Sequence, residues 1–175
     1  MNRVPPPCRS CPVATGRSVD QRDRRRSERP GSSHCVLADI VRTALPAPVE
    51  PGPITGIDGR CAAPEGGSSA DGTALRLSAC DGTPAQTWTV PGDGTLVAFG
   101  TCMDVRNGAT ADGTAVQLYR CNGTLAQSWT PLPDGTLCNV KSALCLHAEG
   151  GATDGARLLI RTCGTAAEQQ WELPG

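Results

Sequence analysis

Three short runs of the chain alternate apolar and polar residues: Ala74-Leu75-Arg76-Leu77, Ala115-Val116-Gln117-Leu118 and Arg157-Leu158-Leu159-Ile160. A period near two is the mark of a strand with one buried face. In the second run Val116 and Leu118 share one face, and Gln117 and Tyr119 share the other. If the aliphatic pair faces the core, Tyr119 points outward. Each run follows an Asp-Gly pair, at Asp71-Gly72, Asp112-Gly113 and Asp154-Gly155. Two further pairs, Asp93-Gly94 and Asp134-Gly135, sit between apolar stretches. Asp-Gly between short apolar runs is a strong hairpin signal. The pattern predicts many short strands joined by tight turns, and the abundance of turn residues argues against a helical bundle.

These signals recur with a fixed period. Gln86-Thr87-Trp88 returns as Gln127-Ser128-Trp129 and as Gln169-Gln170-Trp171, with the tryptophans 41 and 42 residues apart. The Asp-Gly pairs ahead of them keep the same spacing. Three alike repeats are too few for a propeller, which needs at least about four blades, and they lack the atypical caps of a solenoid. They suggest a closed pseudo-threefold unit with repeats at about 53–93, 94–134 and 135–174. Trp88, Trp129 and Trp171 then read as core residues, because only 3% of the chain is aromatic and a core must come from somewhere.

Charge divides the chain. Residues 1–50 hold nine Arg against five acids, whereas residues 51–175 hold seven basic residues against twelve acids. The first segment is rich in Arg, Pro and Ser and has no Trp, Tyr or Phe. It cannot bury enough apolar surface to offset its ordering entropy, so 1–50 is expected to be largely disordered and 51–175 to fold. The total of −1 argues against a globally basic nucleic-acid binder. The basic run from Arg22 to Arg29 has no interleaved aromatic residues and reads as a solvated tail. No apolar run approaches the roughly 18 residues of a membrane span.

Six of the ten cysteines follow the repeat: Cys61 and Cys80, Cys102 and Cys121, Cys145 and Cys163. The first of each pair opens a repeat and the second ends its alternating strand. One disulfide per repeat is the economical inference, with free thiols in a reducing cell as the alternative, and it points to an oxidising, extracytoplasmic compartment. No convincing leader accompanies it, since Asp39 and Arg42 interrupt the apolar stretch from Cys35 to Val49. Cys138 has no counterpart in the other repeats and is either free or paired with an N-terminal cysteine. Cys8, Cys11 and His34-Cys35 resemble a zinc set, but adjacent His and Cys rarely ligate one ion, so no metal site is expected. No cofactor is implied. Fifteen Arg to one Lys hints at a GC-rich bacterial source.

Three Gln-x-Trp repeats, each with a cysteine pair and a Cys-x-Asp … Asp-Gly-Thr … Leu-x-x-Cys frame, resemble the ricin-type lectins and the bacterial carbohydrate-binding modules of secreted glycoside hydrolases. The likeness covers about residues 53–174. It implies an all-β fold, a β-trefoil of twelve short strands, with up to three shallow sugar sites and carbohydrate as partner. It also implies that related proteins carry a catalytic domain beside the module. In that family an Asp just after the first Cys accepts sugar hydroxyls, and an aromatic two residues before the second Cys stacks on the sugar ring. Only the second repeat matches, through Asp104, Asn107, Tyr119 and Asn122. Ala126 stands where the family often has Asn. Ala63 and Ser78 take the two key positions in the first repeat, and His147 and Arg161 take them in the third.

The sequence therefore predicts a non-catalytic module that binds a galactose-type or xylan-type polysaccharide through one site. For Asp104 the competing reading is a turn cap. For the whole chain the alternatives are a decayed trefoil that meets a protein, or the binding-module fragment of a secreted hydrolase. No catalytic constellation is visible. The only histidines are His34 and His147, and the carboxylates are scattered through Asp-Gly turns. Asn122-Gly123-Thr124 matches a glycosylation sequon but follows the repeat pattern of Asp81-Gly82-Thr83, and so reads as a turn.

Overall fold

A computed structural model describes residues 49–175. The expectations for the basic run, for Cys8, Cys11, His34 and Cys35, and for a disordered segment up to residue 48 lie outside the described residues. What is described is all-β apart from single turns of 3-10 helix. Nine strands occur: β1 Cys61–Pro64, β2 Leu75–Ser78, β3 Val97–Ala98, β4 Thr101–Val105, β5 Val116–Arg120, β6 Trp129–Pro131, β7 Leu137–Asn139, β8 Leu144–Glu149 and β9 Arg157–Arg161. Within each repeat an antiparallel hairpin joins the two cysteine-bearing segments: β1 with β2, β4 with β5, β8 with β9.

Twelve strands are expected of a trefoil, and the difference has a local cause. Near the missing strands the ladder shrinks to isolated bridges, Gly52 with Trp88, Thr55 with Glu172 and Thr89 with Val97. Pro51, Pro53 and Pro91 lie beside them. Proline has no N–H to donate, which removes a ladder bond at each of these positions, although β6 keeps its pairing through Pro131.

The repeats close on one another through three equivalent pairs. Ala74 pairs with Gln117 and Ala115 with Leu159 as single bridges, and Arg157 pairs with Arg76 between β9 and β2. Beside each pair the Asp of an Asp-Gly turn accepts a backbone N–H from the next repeat. Asp71 takes that of Arg120 at 2.7 Å, Asp112 that of Thr162 at 2.9 Å, and Asp154 that of Ala79 at 3.0 Å. These aspartates thus staple repeat to repeat as well as shaping turns.

The Gln-x-Trp motif does two jobs in every repeat. Trp88, Trp129 and Trp171 are buried, and their indole N–H groups donate to the carbonyls of Ala62, Met103 and Leu146 at 2.9–3.0 Å. Each of these carbonyls belongs to the residue after the repeat's first cysteine. The glutamine amide, also buried, spans the second cysteine. Gln127 donates to the carbonyl of Arg120 and accepts the N–H of Asn122, both at 2.9 Å. Gln86 does the same around Cys80, and Gln169 around Cys163. A buried amide with both ends satisfied fixes the strand end where the disulfide attaches. The bridges Cys61–Cys80, Cys102–Cys121 and Cys145–Cys163 are formed. Cys138 is buried beside the last of them and is also disulfide-bonded. No helix among the described residues is long and apolar enough to cross a membrane.

Candidate functional site

The β4–β5 hairpin sorts its side chains by strand parity. Met103, Val105, Val116 and Leu118 face the core and are fully buried. Cys102, Asp104, Gln117 and Tyr119 take the other face. The register sets Asp104 directly opposite Gln117 and Cys102 opposite Tyr119. Asp104 and Tyr119 are therefore diagonal neighbours, within reach of one small ligand.

Asp104 is 5% exposed and sits inside β4, so it is not a turn cap. Its Oδ1 accepts the amide N–H of Gln117 at 2.9 Å. Gln117 Oε1 in turn accepts Nε–H of Arg106 at 3.1 Å. The order of these donors is forced: a guanidinium can only donate and a carboxylate can only accept, so the Gln117 amide has one sensible orientation. No other hydrogen bond among the described residues reaches the Asp104 side chain, which leaves its second oxygen free to accept.

Asn107, in the turn Arg106–Gly108, adopts φ 58°, a left-handed conformation that Asn tolerates better than most residues. Asn122 follows the Cys102–Cys121 bridge, and its Oδ1 accepts the N–H of Thr124 at 3.0 Å. That is the turn expected for Asn122-Gly123-Thr124, and Asp81 makes the same bond to Thr83. The Asn122 amide nitrogen remains available as a donor. Tyr119 is half-buried, and the Arg120 guanidinium stands 5.4 Å from its ring centroid. A cation over the ring face is attracted by the ring quadrupole, which helps orient Tyr119.

Asp104, Asn107, Tyr119 and Asn122 line a single open depression of about 320 Å³. Three further polar residues share it, Gln117, Thr124 and Lys141. Gln117 was legible as a residue on the Tyr119 face, though its place against Asp104 was not. Lys141, the sole lysine of the chain, arrives from the β7–β8 connection of the next repeat. Nothing local in the sequence announces it. Gly108 makes room for it, because a Cβ there would lie 2.7 Å from Lys141 Nζ. Ala126 is buried at the wall of the depression and offers no polar group where Asn is usual in the resembled family.

The other repeats build different surfaces. Ala63 lies opposite Arg76, and Arg76 is engaged by Glu65 at 2.9 Å. The depression there is larger, about 810 Å³, but lacks a carboxylate at the Asp104 position. In the third repeat His147 faces Leu159, and Arg161 is held by Asp112 at 3.1 Å and Glu149 at 3.2 Å. Burial, and next the positive charge of Arg161, pushes the His147 imidazole below its ordinary pKa. Its Nδ1 is buried without a hydrogen-bond partner among the described residues. Cys138, Cys145 and Cys163 cluster closely enough to hold a metal, but all three are engaged in disulfides.

Comparison with known proteins agrees with this architecture. The family model of the ricin-type beta-trefoil lectin domain matches residues 50–171. A designed threefold-symmetric protein, ThreeFoil, shares 29% identity at TM-score 0.66, over 71% of this chain and 98% of that one. A non-toxic homologue of type II ribosome-inactivating proteins from Momordica charantia, solved in complex with alpha-methyl-D-galactoside, shares 29% identity at TM-score 0.66, over 71% of this chain and 47% of that one. The ribosome-inactivating protein SNAI' of Sambucus nigra is 42% identical over 50 residues, and the match covers 29% of this chain and 9% of that protein. The profile match spans most of the chain and coincides with the three stapled repeats, so the chain belongs to the ricin-type beta-trefoil lectin domain family.

Proposed function

We propose that this chain is a non-catalytic carbohydrate-binding module with one sugar site, in the second repeat. The observation that carries the reading is the juxtaposition of Asp104, locked by Gln117, with Tyr119 across one open depression. The free carboxylate oxygen accepts from sugar hydroxyls, and charge-assisted bonds of this kind are the stronger ones. The Tyr119 ring covers the apolar C–H face of a pyranose. Asn107, Asn122 and Lys141 supply donors at the rim. The ligand is a galactose-type or xylan-type polysaccharide. A galactose-type ligand is favoured by the galactoside in the Momordica charantia neighbour. The three disulfides favour an oxidising, extracellular location, and related proteins would carry the module beside a catalytic domain.

One shallow site predicts weak binding, on the order of millimolar or about −4 kcal/mol, which multivalent display raises by about 10²–10⁴. The test is a screen of polysaccharides and arrayed glycans with the oxidised full chain, beside Asp104→Ala. Binding by the wild type and its loss in an Asp104→Ala protein of unchanged thermal stability is the expected result. No binding by folded wild type displayed on beads refutes the proposal.

A further inference from the structure

The repeat accounts for most of the surface, and three arginines stand out against it. Arg76 occupies a position held by Gln117 and Leu159 in the other repeats. Arg106 occupies one held by Glu65 and Glu149. Arg157 occupies one held by Ala74 and Ala115. Each is an individual departure, at a different position of the repeat, and each comes from a different repeat. Yet all three line one depression of about 650 Å³. Equivalent residues of all three repeats, Leu75, Val116 and Leu158, line it as well, which puts it on the pseudo-threefold axis.

The charges there are unbalanced. Arg76 and Arg157 are directly opposite across the seam between β2 and β9, where the two sister seams set alanines against Gln117 and Leu159. Like charges directly opposite in a sheet repel. Glu65 pairs with Arg76 at 2.9 Å, and Glu149 reaches Arg157 only at 3.7 Å while holding Arg161 at 3.2 Å. Arg106 has no carboxylate partner among the described residues. It spends Nε–H on Gln117 and one further N–H on the carbonyl of Gly72 at 3.2 Å, leaving most of its five donors open. This cationic mouth lies on a segment, 51–175, that carries more acids than bases.

We propose that the axial mouth is a second binding site, for an oxyanion carried on a sugar-sized molecule. Guanidinium groups match carboxylate and sulfate oxygens in paired hydrogen bonds. The depression exceeds a lone sulfate and falls in the range of small-molecule sites. The mouth does not contain Asp104, although Arg106 reaches it indirectly through Gln117, and the inference does not require the sugar reading of the second repeat.

The test follows the arginine Nε–H resonances of the full chain by NMR at constant ionic strength. Inorganic sulfate and glucuronate are the probes, with glucose and chloride as controls. Saturable shifts with both anions and none with glucose are expected. Saturation by glucuronate supports the saccharide-borne group, and saturation by sulfate alone overturns the sugar-sized ligand. Arg157→Ala restores the residue found in both sister repeats, so the fold tolerates it. It weakens anion binding about tenfold, the loss of roughly one charge-assisted hydrogen bond, and leaves neutral-sugar binding unchanged. Shifts that never saturate or that match chloride overturn the proposal, as does full anion affinity in Arg157→Ala.

Discussion

Replacing Gln127 by Ala tests the claim that a buried amide, repeated three times, holds the strand ends of this fold. Gln127 is 1% exposed. The substitution removes two hydrogen bonds of 2.9 Å, one to the Arg120 carbonyl and one from the Asn122 N–H. Each neutral bond contributes about 1 kcal/mol net, and the buried methylene lost with them about 0.8 kcal/mol. The expected destabilisation is about 2–3 kcal/mol, read from urea midpoints of the oxidised chain at unchanged m. Gln86→Ala and Gln169→Ala should cost the same within about 1 kcal/mol, since they break the equivalent pair of bonds, with Gln86 also losing a 3.2 Å bond to Ser78 Oγ. Gln127→Glu adds a test of sign. The ionised carboxylate still accepts from Asn122 but faces the Arg120 carbonyl, so its folded pKa rises above the unfolded value. Its stability deficit then grows as pH rises from about 4 to 7, because only the protonated acid can donate to that carbonyl. A Gln127→Ala chain within about 0.5 kcal/mol of wild type would refute the reasoning.

Other expectations follow from the same geometry. The N–H of Thr162 and then its hydroxyl, with Arg161, hold the Asp112 carboxyl below the usual range, and the Thr95 and Thr136 hydroxyls, then their N–H groups, do so for Asp93 and Asp134. Their stabilisation is full above the unfolded carboxylate value and is lost as pH falls below about 4; Asp112→Asn should flatten that loss in acid titrations followed by circular dichroism. His147 is shifted down as well, so the unfolded chain takes its proton first and stability declines as pH falls below about 6.5. Urea midpoints of His147→Gln should lack that upper decline. Replacing Cys102 and Cys121 by Ser opens a loop with a sequence separation of 19, and should cost about 3 kcal/mol in urea unfolding.

The fold was legible because the same short instruction is written three times. The spacing of Trp88, Trp129 and Trp171, the cysteine pairs and the strand alternation at Val116–Tyr119 each rest on local stereochemistry, and each is visible one repeat at a time. The four candidate residues of the second-repeat depression could be named only because their positions relative to Cys102 and Cys121 match the frame of the resembled lectin family. What sequence could not supply are relations between repeats. The Asp-Gly carboxylates read as turn formers, and only the closed ring shows Asp71, Asp112 and Asp154 reaching into the next repeat. Lys141 enters the second-repeat depression from the following repeat, through a connection whose path depends on β7 and β8. Arg76, Arg106 and Arg157 are unremarkable surface residues in three separate stretches until the axis gathers them. Periodicity fixes what each repeat is, because backbone and side-chain preferences act over a few residues. Which charges face one another across a seam is set by how the repeats close, and that is a property of the tertiary structure alone.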